Sequence, residues 1–309
     1  MALGSSTISW NNVNTLTERV ALPRIVDQIF RSNPTINKLW KSGTKLGGGA
    51  FITQHLAYAE GPGGAFEGME AHDVSERDQF APAIFNWKHY YVSITVRRAD
   101  ELKNSGKPAF AKLLTAKMKI AEKTMRNLLA QGIYSDGSNV KEITGFRAMV
   151  TASGVYGNIS KTTNAFWQSK LDTTTTTLSI GAMRTLMGRC TEDSDTPDML
   201  VTTQSNYDIY YGLLQPQQRF ASESMAKGGF TSIMFEGRPL VVDSHCPTGY
   251  LYFFNTDYTD LISHEDENMR FEPFRRPFRQ AGRSAFIYWF GNLTGSNCRF
   301  QGAMTAIAN

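Results

Sequence analysis

The longest amphipathic pattern in the sequence runs from Pro108 to Gln131. Its apolar residues recur mainly at steps of three and four, which is the spacing of one helix face; they are Phe110, Leu114, Met118, Ala121, Met125, Leu128 and Leu129. The opposite face carries Lys112, Thr115, Lys119, Glu122 and Arg126. The pattern predicts a helix over 108–131, about 36 Å long at about 1.5 Å per residue. Its apolar face requires a partner, and the strand-like segments on either side are the candidates.

The chain before this helix alternates between polar segments and strand-like segments. Residues 1–45 are predicted to form an N-terminal arm, with short helical stretches at Thr17–Arg31 and Thr35–Lys41. Residues 46–82 are predicted to form a long hairpin, because a strand entered through three glycines is followed by a turn and an acidic return limb within residues 64–80. A hairpin alone is marginally stable in water, so we expect it to rest on another surface.

The clearest strand pattern is Ala83–Val96, in which Val92, Ile94 and Val96 alternate with polar residues. A helical link over 98–104 then leads to the long helix. The segment 141–161 predicts a short strand and a glycine-rich loop, and Trp167–Leu171 is predicted to begin a helix.

The remainder predicts an α/β region followed by strands. Helices at Leu178–Thr191 and Ser205–Leu214 flank a buried strand at 199–203, so residues 150–240 read as an α/β subdomain. Further strands are predicted in FTSIMF, RPLVVDS, TGYLYFFN, SAFIYWFGNL and CRFQGAMTAI. We expect the last two to join the sheet under the long helix.

Composition describes an ordinary folded chain and excludes several classes. The sequence has 309 residues, 12% aromatic and 19% charged, with a net charge of +4, which is too small to argue for nucleic-acid binding by itself. The three cysteines lack metal-ligand spacing and are interpreted as reduced thiols. No apolar run approaches the roughly 18 residues of a membrane span, and the N-terminus does not resemble a signal peptide.

A search for catalytic or metal-binding patterns finds none. The five histidines never occur at ligand spacing, and no nucleophile elbow or phosphate loop is present. The acidic run Glu265-Asp266-Glu267 is interpreted as a solvated turn, because it lacks the glycine and alternating oxygen ligands of a calcium loop. The sequence therefore predicts no catalytic residue, no cofactor and no metal.

Charge is instead segregated along the chain in a way that is typical of an assembling subunit. The return limb of the hairpin is acidic and includes Glu67, Glu70 and Asp73. Basic residues interleaved with phenylalanines occupy Arg270–Arg283. Such a mixture occurs in single-stranded nucleic-acid sites and in protein contacts, and the low net charge favours the protein contact.

At this point the order of segments resembles the major capsid proteins of tailed bacteriophages, which have the Hong Kong 97-type fold. The resemblance covers residues 16–307. It rests on Phe85-x-Trp87-x-x-Tyr90 before VSITV, on ELKNSG at 101–106, and on the long helix followed by YSDG at 134–137. It also includes Ile143–Arg147 and Thr151–Gly157, which look like the family's tyrosine-glycine loop, and then Trp167. Asn158 departs from the family, where a second glycine is common.

The resemblance implies an α+β architecture. Residues 1–45 would be the N-terminal arm, and residues 46–82 the extended β-hairpin called the E-loop. A peripheral (P) domain would combine 83–148 with 240–309, with the spine helix 108–131 on its sheet. An α/β axial (A) domain would cover 149–239.

The resemblance also implies a function. Subunits would form pentamers and hexamers of an icosahedral head, a virion component assembled in the host bacterial cytoplasm around double-stranded DNA, which they would contact non-specifically. Portal, scaffolding or decoration proteins are the further partners implied, and no membrane is. Some family members crosslink a lysine to an asparagine; Lys45, Asn292 and Asn297 offer the residue types, but their spacing shows nothing more.

Heterologous contacts between copies would use different patches on each subunit. We therefore expect the acidic residues Glu67, Glu70 and Asp73 to face basic groups of a neighbouring copy. The candidates are Lys112, Lys119 and Arg126 on the long helix, or Arg275, Arg276 and Arg279.

Three alternatives remain open from the sequence. An encapsulin-type nanocompartment shell shares the fold and would differ in its contents. A soluble α/β enzyme would need a polar constellation that the sequence does not display. A stand-alone DNA-binding module would use Arg270–Arg283 and show salt-dependent affinity.

Overall fold

A computed structural model gives the fold of residues 33–103, 107–214, 233–277 and 281–308, with the backbone alone for 103 and 107–113. The chain is mixed α+β. It divides into two compact units. Among the described residues, the smaller unit contains His89–Leu128 and Asp266–Trp289, and the larger contains Asn33–Lys88, Leu129–Glu265 and Phe290–Asn309. The predicted helix at Thr17–Arg31 lies outside the described residues.

The helices and strands are numbered in chain order. The helices are α1 (Pro34–Ser42), α2 (Arg98–Lys103), α3 (Lys107–Gly132), α4 (Phe146–Met149), α5 (Ile180–Arg189) and α6 (Gln204–Leu213), with 3₁₀ turns at Ala165–Trp167 and Thr256–Tyr258. The strands are β1 (Lys45–Leu46), β2 (Ile52–Ala57), β3 (Phe80–Phe85), β4 (Lys88–Arg97), β5 (Val155–Tyr156), β6 (Ile159–Ser160), β7 (Lys170–Asp172), β8 (Met199–Thr202), β9 (Ile233–Phe235), β10 (Arg238–Val242), β11 (Leu251–Phe254), β12 (Thr259–Arg275), β13 (Gly282–Gly295) and β14 (Gly302–Met304).

The smaller unit combines most of α3 with parts of three strands, in which β13 lies between β12 and β4. The predicted alternation in β4 is confirmed, because Ile94 and Val96 are buried while Ser93, Thr95 and Arg97 are exposed. The predicted long helix is also confirmed, one residue longer at each end. Its buried positions include Ala116, Ala121 and Met125, and the Lys117 ammonium donates to the Thr95 carbonyl oxygen at 2.9 Å.

The larger unit is built on a six-stranded sheet in the order β7-β14-β11-β8-β10-β9. Strands β8 and β10 run parallel, as do β14 and β7, whereas β11 is antiparallel to both of its neighbours. Helix α5 contacts β7 and β14, and α6 contacts β10. The core between these layers is apolar and includes Met183, Leu186, Leu200, Leu240 and Phe253.

Several local predictions are confirmed and others are wrong. The helices predicted at Thr35–Lys41, 178–191 and 205–214 correspond to α1, α5 and α6, and the strand at 199–203 corresponds to β8. The helix predicted from Trp167 is wrong, because a 3₁₀ turn there leads into strand β7. The last strand, β14, does not join the sheet of the long helix; it pairs with β7 and β11.

The hairpin differs from its prediction in where the chain returns. Strand β2 pairs with β3, from Ile52 opposite Phe85 to Ala57 opposite Phe80, so the return strand follows the acidic segment. Residues 58–79 form an irregular loop, which we call the hairpin loop. The single strand predicted over Ala83–Val96 is broken at Asn86-Trp87, and its first three residues belong to the hairpin.

The acidic run Glu265-Asp266-Glu267 is not a turn, contrary to our expectation. It lies inside β12, a 17-residue strand. Ion pairs along the same strand offset its charge, since Arg270 pairs with Glu267 and Arg275 with Glu272. A strand with this charge content carries little of the apolar alternation on which sequence-based assignment depends.

Asn158, which departs from the resemblance noted in the sequence, lies in a tight turn with positive φ. Strands β5 and β6 are joined by Gly157 and Asn158 alone, with φ of +58° and +63°. Such a two-residue hairpin turn needs positive φ at both positions, and asparagine tolerates it better than other side chains. Gly157 is required for a second reason, since an added Cβ would lie 2.9 Å from the Phe85 ring.

The fully buried side chain of Asn292 in β13 joins three segments of the larger unit. Its Oδ1 accepts from the backbone N–H groups of Thr144 at 3.0 Å and Leu293 at 2.9 Å. Its Nδ2 donates to the Asn86 carbonyl oxygen at 2.8 Å and to the Thr144 hydroxyl at 3.4 Å. The amide is therefore fully hydrogen-bonded, and it fixes the junction between β3 and β4.

We predict that Asn292→Asp destabilises the fold. The substitution keeps the shape but replaces two donors by a carboxylate that faces the Asn86 carbonyl in a buried site, so the free energy of unfolding should fall by about 2 kcal/mol or more. Chemical unfolding of the unassembled subunit, followed by tryptophan fluorescence, measures the change. Asn297→Asp is the matched control, because the half-buried Asn297 uses only its Oδ1, as acceptor from Arg299 N–H at 3.0 Å. Equal losses in both variants would contradict the role of Asn292.

A second prediction concerns acid stability. Hydrogen bonds, first that from the Thr175 hydroxyl and then those from backbone and hydroxyl groups at Thr174 and Thr175, lower the pKa of Asp172 to about 2. Because this folded-state pKa lies below the unfolded value of about 3.9, the carboxylate stabilises the fold above about pH 4 and loses that effect as pH falls through about 2. The gap in urea midpoint between the wild type and Asp172→Asn should be larger at pH 6 than at pH 2. A gap that does not change with pH would refute the assignment.

Candidate inter-subunit surfaces

The root of the hairpin is held in place by contacts within the larger unit. The Gln54 amide donates to the Thr294 hydroxyl at 3.3 Å, and the Ile84 N–H donates to the Gly157 carbonyl oxygen at 2.9 Å. The Tyr58 ring stacks on Phe166 with centroids 5.0 Å apart. The turn between β5 and β6 thus supports strand β3 through Gly157, and the contact between Tyr58 and Phe166 holds the start of the hairpin loop.

The side chain of Trp87 anchors the other side of this root. Its indole N–H donates to the Gly49 carbonyl oxygen at 2.9 Å, and its ring stacks on Phe290 at 4.7 Å and contacts His264. Gly48 and Gly49 have φ of +139° and +125°, conformations that favour glycine. The three glycines predicted to lead into the hairpin therefore form a segment that is held by the aromatic cluster of Trp87, Phe290 and His264.

The predicted acidic residues all lie on the exposed hairpin loop. Glu67, Glu70 and Asp73 are exposed, and Asp73 pairs with Arg77 at 3.0 Å. Hydrogen bonds from the Ser75 hydroxyl and backbone N–H lower the pKa of the Asp73 carboxyl. With six carboxylates and one arginine between residues 58 and 79, the loop carries a net charge of −5.

The hairpin loop also exposes large apolar side chains, which the sequence interpretation overlooked. Met69 is fully exposed, Val74 is 90% exposed and Phe66 is 63% exposed. The signal was present, since these residues interrupt an acidic segment without any periodicity that would bury them. Apolar groups concentrated on an exposed loop are typical of a contact surface.

The first set of basic candidates lies on the exposed face of α3. Lys119 and Arg126 are exposed as predicted, and Arg126 pairs with Glu122 at 2.9 Å. The side chain of Lys112 lies outside the described part of the chain. Residues 107–126 contain six basic residues and Glu122, a net charge of +5. Ile120 is 48% exposed within this basic face.

The second set of basic candidates follows β12. Arg275 is exposed and pairs with Glu272 at 3.5 Å, and Arg276 is exposed and makes no ion pair within the described chain. Arg279 lies outside the described residues. Arg283, in β13, pairs with the nearly buried Glu101 at 3.0 Å. Much of the positive charge here is therefore already compensated within the subunit.

Buried titratable groups serve the fold. The Lys161 ammonium is fully buried; it donates to the carbonyl oxygens of Met149 and Thr151 and to the Ser169 hydroxyl, and burial lowers its pKa. Burial raises the pKa of Cys298 to about 11. All three cysteines are free and buried, and no group of three or more metal-ligating side chains occurs among the described residues.

The three residues that the sequence offers for a lysine–asparagine crosslink differ in their exposure to solvent. Asn292 is fully buried with its amide engaged, and Asn297 is half-buried with its Oδ1 in a turn. Lys45 is exposed in β1. The amide of Asn292 is thus withheld from any reaction with another copy.

In the part of the chain that the structure covers, no helix combines the length and apolarity required to cross a bilayer.

Comparison with known proteins finds relatives only at the level of structure. No protein-family model and no curated protein sequence matches this chain. Among solved structures, it is similar to a chain of the cyanophage A-1(L) capsid asymmetric unit, with a TM-score of 0.70 and 14% identity over 98% of this chain and 100% of the other. It is similar to the capsid of an empty GTA particle, with a TM-score of 0.60 and 12% identity over 92% and 100% of the two chains.

A third similar structure is the SrpI encapsulin complex from Synechococcus elongatus, with a TM-score of 0.58 and 10% identity over 92% and 93% of the two chains. At these identities the likeness concerns architecture alone. The fold of this chain is therefore that of phage capsid and encapsulin chains.

Proposed function

We propose that this protein is the major capsid protein of a tailed double-stranded DNA bacteriophage. Its copies form the pentamers and hexamers of an icosahedral head that encloses the genome. The observation that carries the proposal is the structural likeness to the cyanophage A-1(L) capsid chain, which extends over 98% of this chain and 100% of the other. The exposed apolar and acidic hairpin loop supports it, since such a surface suits burial against another copy.

The proposal includes the Hong Kong 97-type division of the chain. Residues 46–82 are the E-loop, 83–148 with 240–309 the P domain around its spine helix, and 149–239 the A domain. Residues 1–45 are the N-terminal arm. The proposed boundary between the A domain and the second part of the P domain, near residue 240, falls within β10 of the six-stranded sheet. Strands β11 and β14 of the same sheet come after this boundary in the chain.

The second candidate function is an encapsulin-type shell. The likeness to the SrpI encapsulin supports it, with a lower TM-score than the cyanophage chain. The two candidates differ in what the particle contains, DNA in one and protein cargo in the other. A soluble enzyme is disfavoured, because the similar solved structures are chains of capsids and of an encapsulin complex.

The proposed partners follow from the shell function. The protein contacts other copies of itself and, non-specifically, packaged double-stranded DNA. Portal, scaffolding and decoration proteins are further partners. The protein acts in the virion after assembly in the host bacterial cytoplasm, and it catalyses no reaction.

Within the shell, the acidic E-loop contacts a basic surface of a neighbouring copy. Glu67, Glu70 and Asp73 face either the α3 set (Lys112, Lys119 and Arg126) or the β12 set (Arg275, Arg276 and Arg279). A single exposed ion pair contributes about 0–1 kcal/mol. Because the same ion pairs recur at every equivalent contact of a closed shell, their summed free energy would contribute substantially to assembly.

The first prediction of this proposal is assembly. The purified chain, alone or with a scaffolding protein, should form shells or discrete pentamers and hexamers in light scattering and negative-stain imaging, because each copy offers different complementary patches. Nuclease-resistant double-stranded DNA inside particles from infected cells would support the phage head, and protein cargo would support the encapsulin. A compact dimer or tetramer that is unaffected by scaffolding protein would refute both.

A second prediction tests the acidic loop. Glu67→Lys with Glu70→Lys changes the net charge of the loop from −5 to −1, so the threshold concentration for assembly should rise severalfold at low salt and less at high salt. The control is Glu142→Lys with Asp208→Lys, which changes the same total charge at two exposed positions outside the hairpin. Unchanged yield and salt sensitivity in the loop variant would exclude the electrostatic contact.

A further inference from the structure

Two exposed surfaces of this chain have the same organisation with opposite charge. In the hairpin loop, Met69 and Val74 stand among six carboxylates. On α3, the exposed Ile120 stands among Lys117, Lys119 and Lys123. The net charges of the two segments are −5 and +5.

We propose that Met69 and Val74 of one copy are the anchor residues of the E-loop contact, and that they pack against Ile120 on α3 of a second copy. This inference rests on the proposed shell function and refines it. It selects the α3 set over the β12 set, and it assigns the binding energy to apolar side chains, with the charges orienting the approach.

The conformation of the hairpin loop supports an anchor that is shaped before contact. The Phe66 and His72 rings meet edge to face at 4.7 Å, and the Glu67 N–H donates to Glu70 Oε2 at 3.4 Å. Gly68, with φ of +67°, permits the turn between them. Local contacts thus hold the loop so that Met69 projects, and an ordered loop loses less entropy on docking.

Relative energies favour the apolar pair as anchors. Burial of a fully exposed methionine or valine side chain stabilises a contact more than an exposed ion pair does. Methionine also adapts to an irregular partner surface. Two carboxylates of the loop are already engaged, that of Asp73 with Arg77 and that of Glu70 with a backbone N–H.

The choice of α3 follows from charge. Among residues 107–126 the only acidic residue is Glu122. On α3 this glutamate pairs with Arg126. In the Arg270–Arg283 stretch three arginines, Arg270, Arg275 and Arg283, pair with three different glutamates of the same chain, so more of the positive charge there is already offset. Lys119, Lys123 and Arg126 follow steps of four and three on one helix face, and Ile120 borders that face. Packaged DNA would use the charges but not the apolar side chain, which favours a protein partner.

Photo-crosslinking identifies the contact directly. Shells are assembled from a mixture of copies carrying p-benzoylphenylalanine at position 69 and isotopically heavy wild-type copies. Mass spectrometry should find light–heavy crosslinks from position 69 to residues 116–126. The same amino acid at position 140, where Val140 is 78% exposed outside the hairpin, should give none to that segment.

Assembly thresholds then measure the energy. Met69→Ser with Val74→Ser should raise the threshold concentration at least tenfold, and Ile120→Ser severalfold. The control pair Val140→Ser with Val155→Ser removes two similarly exposed valines and should change the threshold less than twofold. An equal effect of both double variants would overturn the anchor role.

The outcomes separate this inference from the shell function. If shells form but position 69 crosslinks to residues 270–283, to the strands or to no second copy, the inference fails and the shell function stands. If α3 lysines are protected from acylation only in DNA-filled particles, the helix faces DNA and the inference is overturned. If the chain forms only a small oligomer, both fail.

Discussion

The side-chain amide of Asn292 is the constraint on which the projecting hairpin depends. It is fully buried in β13, and its four hydrogen bonds reach the segment after α3 through Thr144 and the junction of β3 and β4 through Asn86. A buried amide with every group satisfied specifies geometry strongly, because any shift leaves an unpaired polar atom. The hairpin therefore begins at a fixed point. In the proposed shell, where this loop contacts another copy, a rigid root would preserve the direction of the tip.

The root of the hairpin is well packed and the hairpin loop is exposed, a contrast that suits an assembling subunit. The hairpin root is held by stacked rings and backbone hydrogen bonds, whereas the hairpin loop exposes its large apolar side chains to solvent. A monomeric protein would gain nothing from exposing Met69 and Val74, which carry a solubility cost. The exposure becomes favourable only when another surface covers these residues. The titratable side chains of Lys161 and Cys298, by contrast, are enclosed by the fold.

The sequence predicted elements whose own periodicity decides their structure, and it failed where distant residues decide. Helices α3, α5 and α6 carry complete apolar stripes, so their positions followed from spacing alone. The break between β3 and β4 could not be predicted, because Asn86 is held by an amide 206 positions away. Strand β12 was overlooked because its charges are offset by ion pairs along the strand. The acidic residues of the candidate surface were predicted, since charge is visible in sequence. Its apolar residues were not, since only the structure shows that they are uncovered.

The two kinds of side chain on the hairpin loop act over different distances. In the proposed contact, the charges of −5 and +5 attract across a Debye length of about 8 Å at physiological ionic strength, so they would orient two copies before contact. Apolar side chains act only when water is excluded between them. Salt therefore weakens the approach more than the final contact. A shell needs this combination, because copies that bound strongly at first encounter could not correct a misplaced neighbour. Weak steering followed by local apolar packing allows errors to dissociate while correct contacts accumulate.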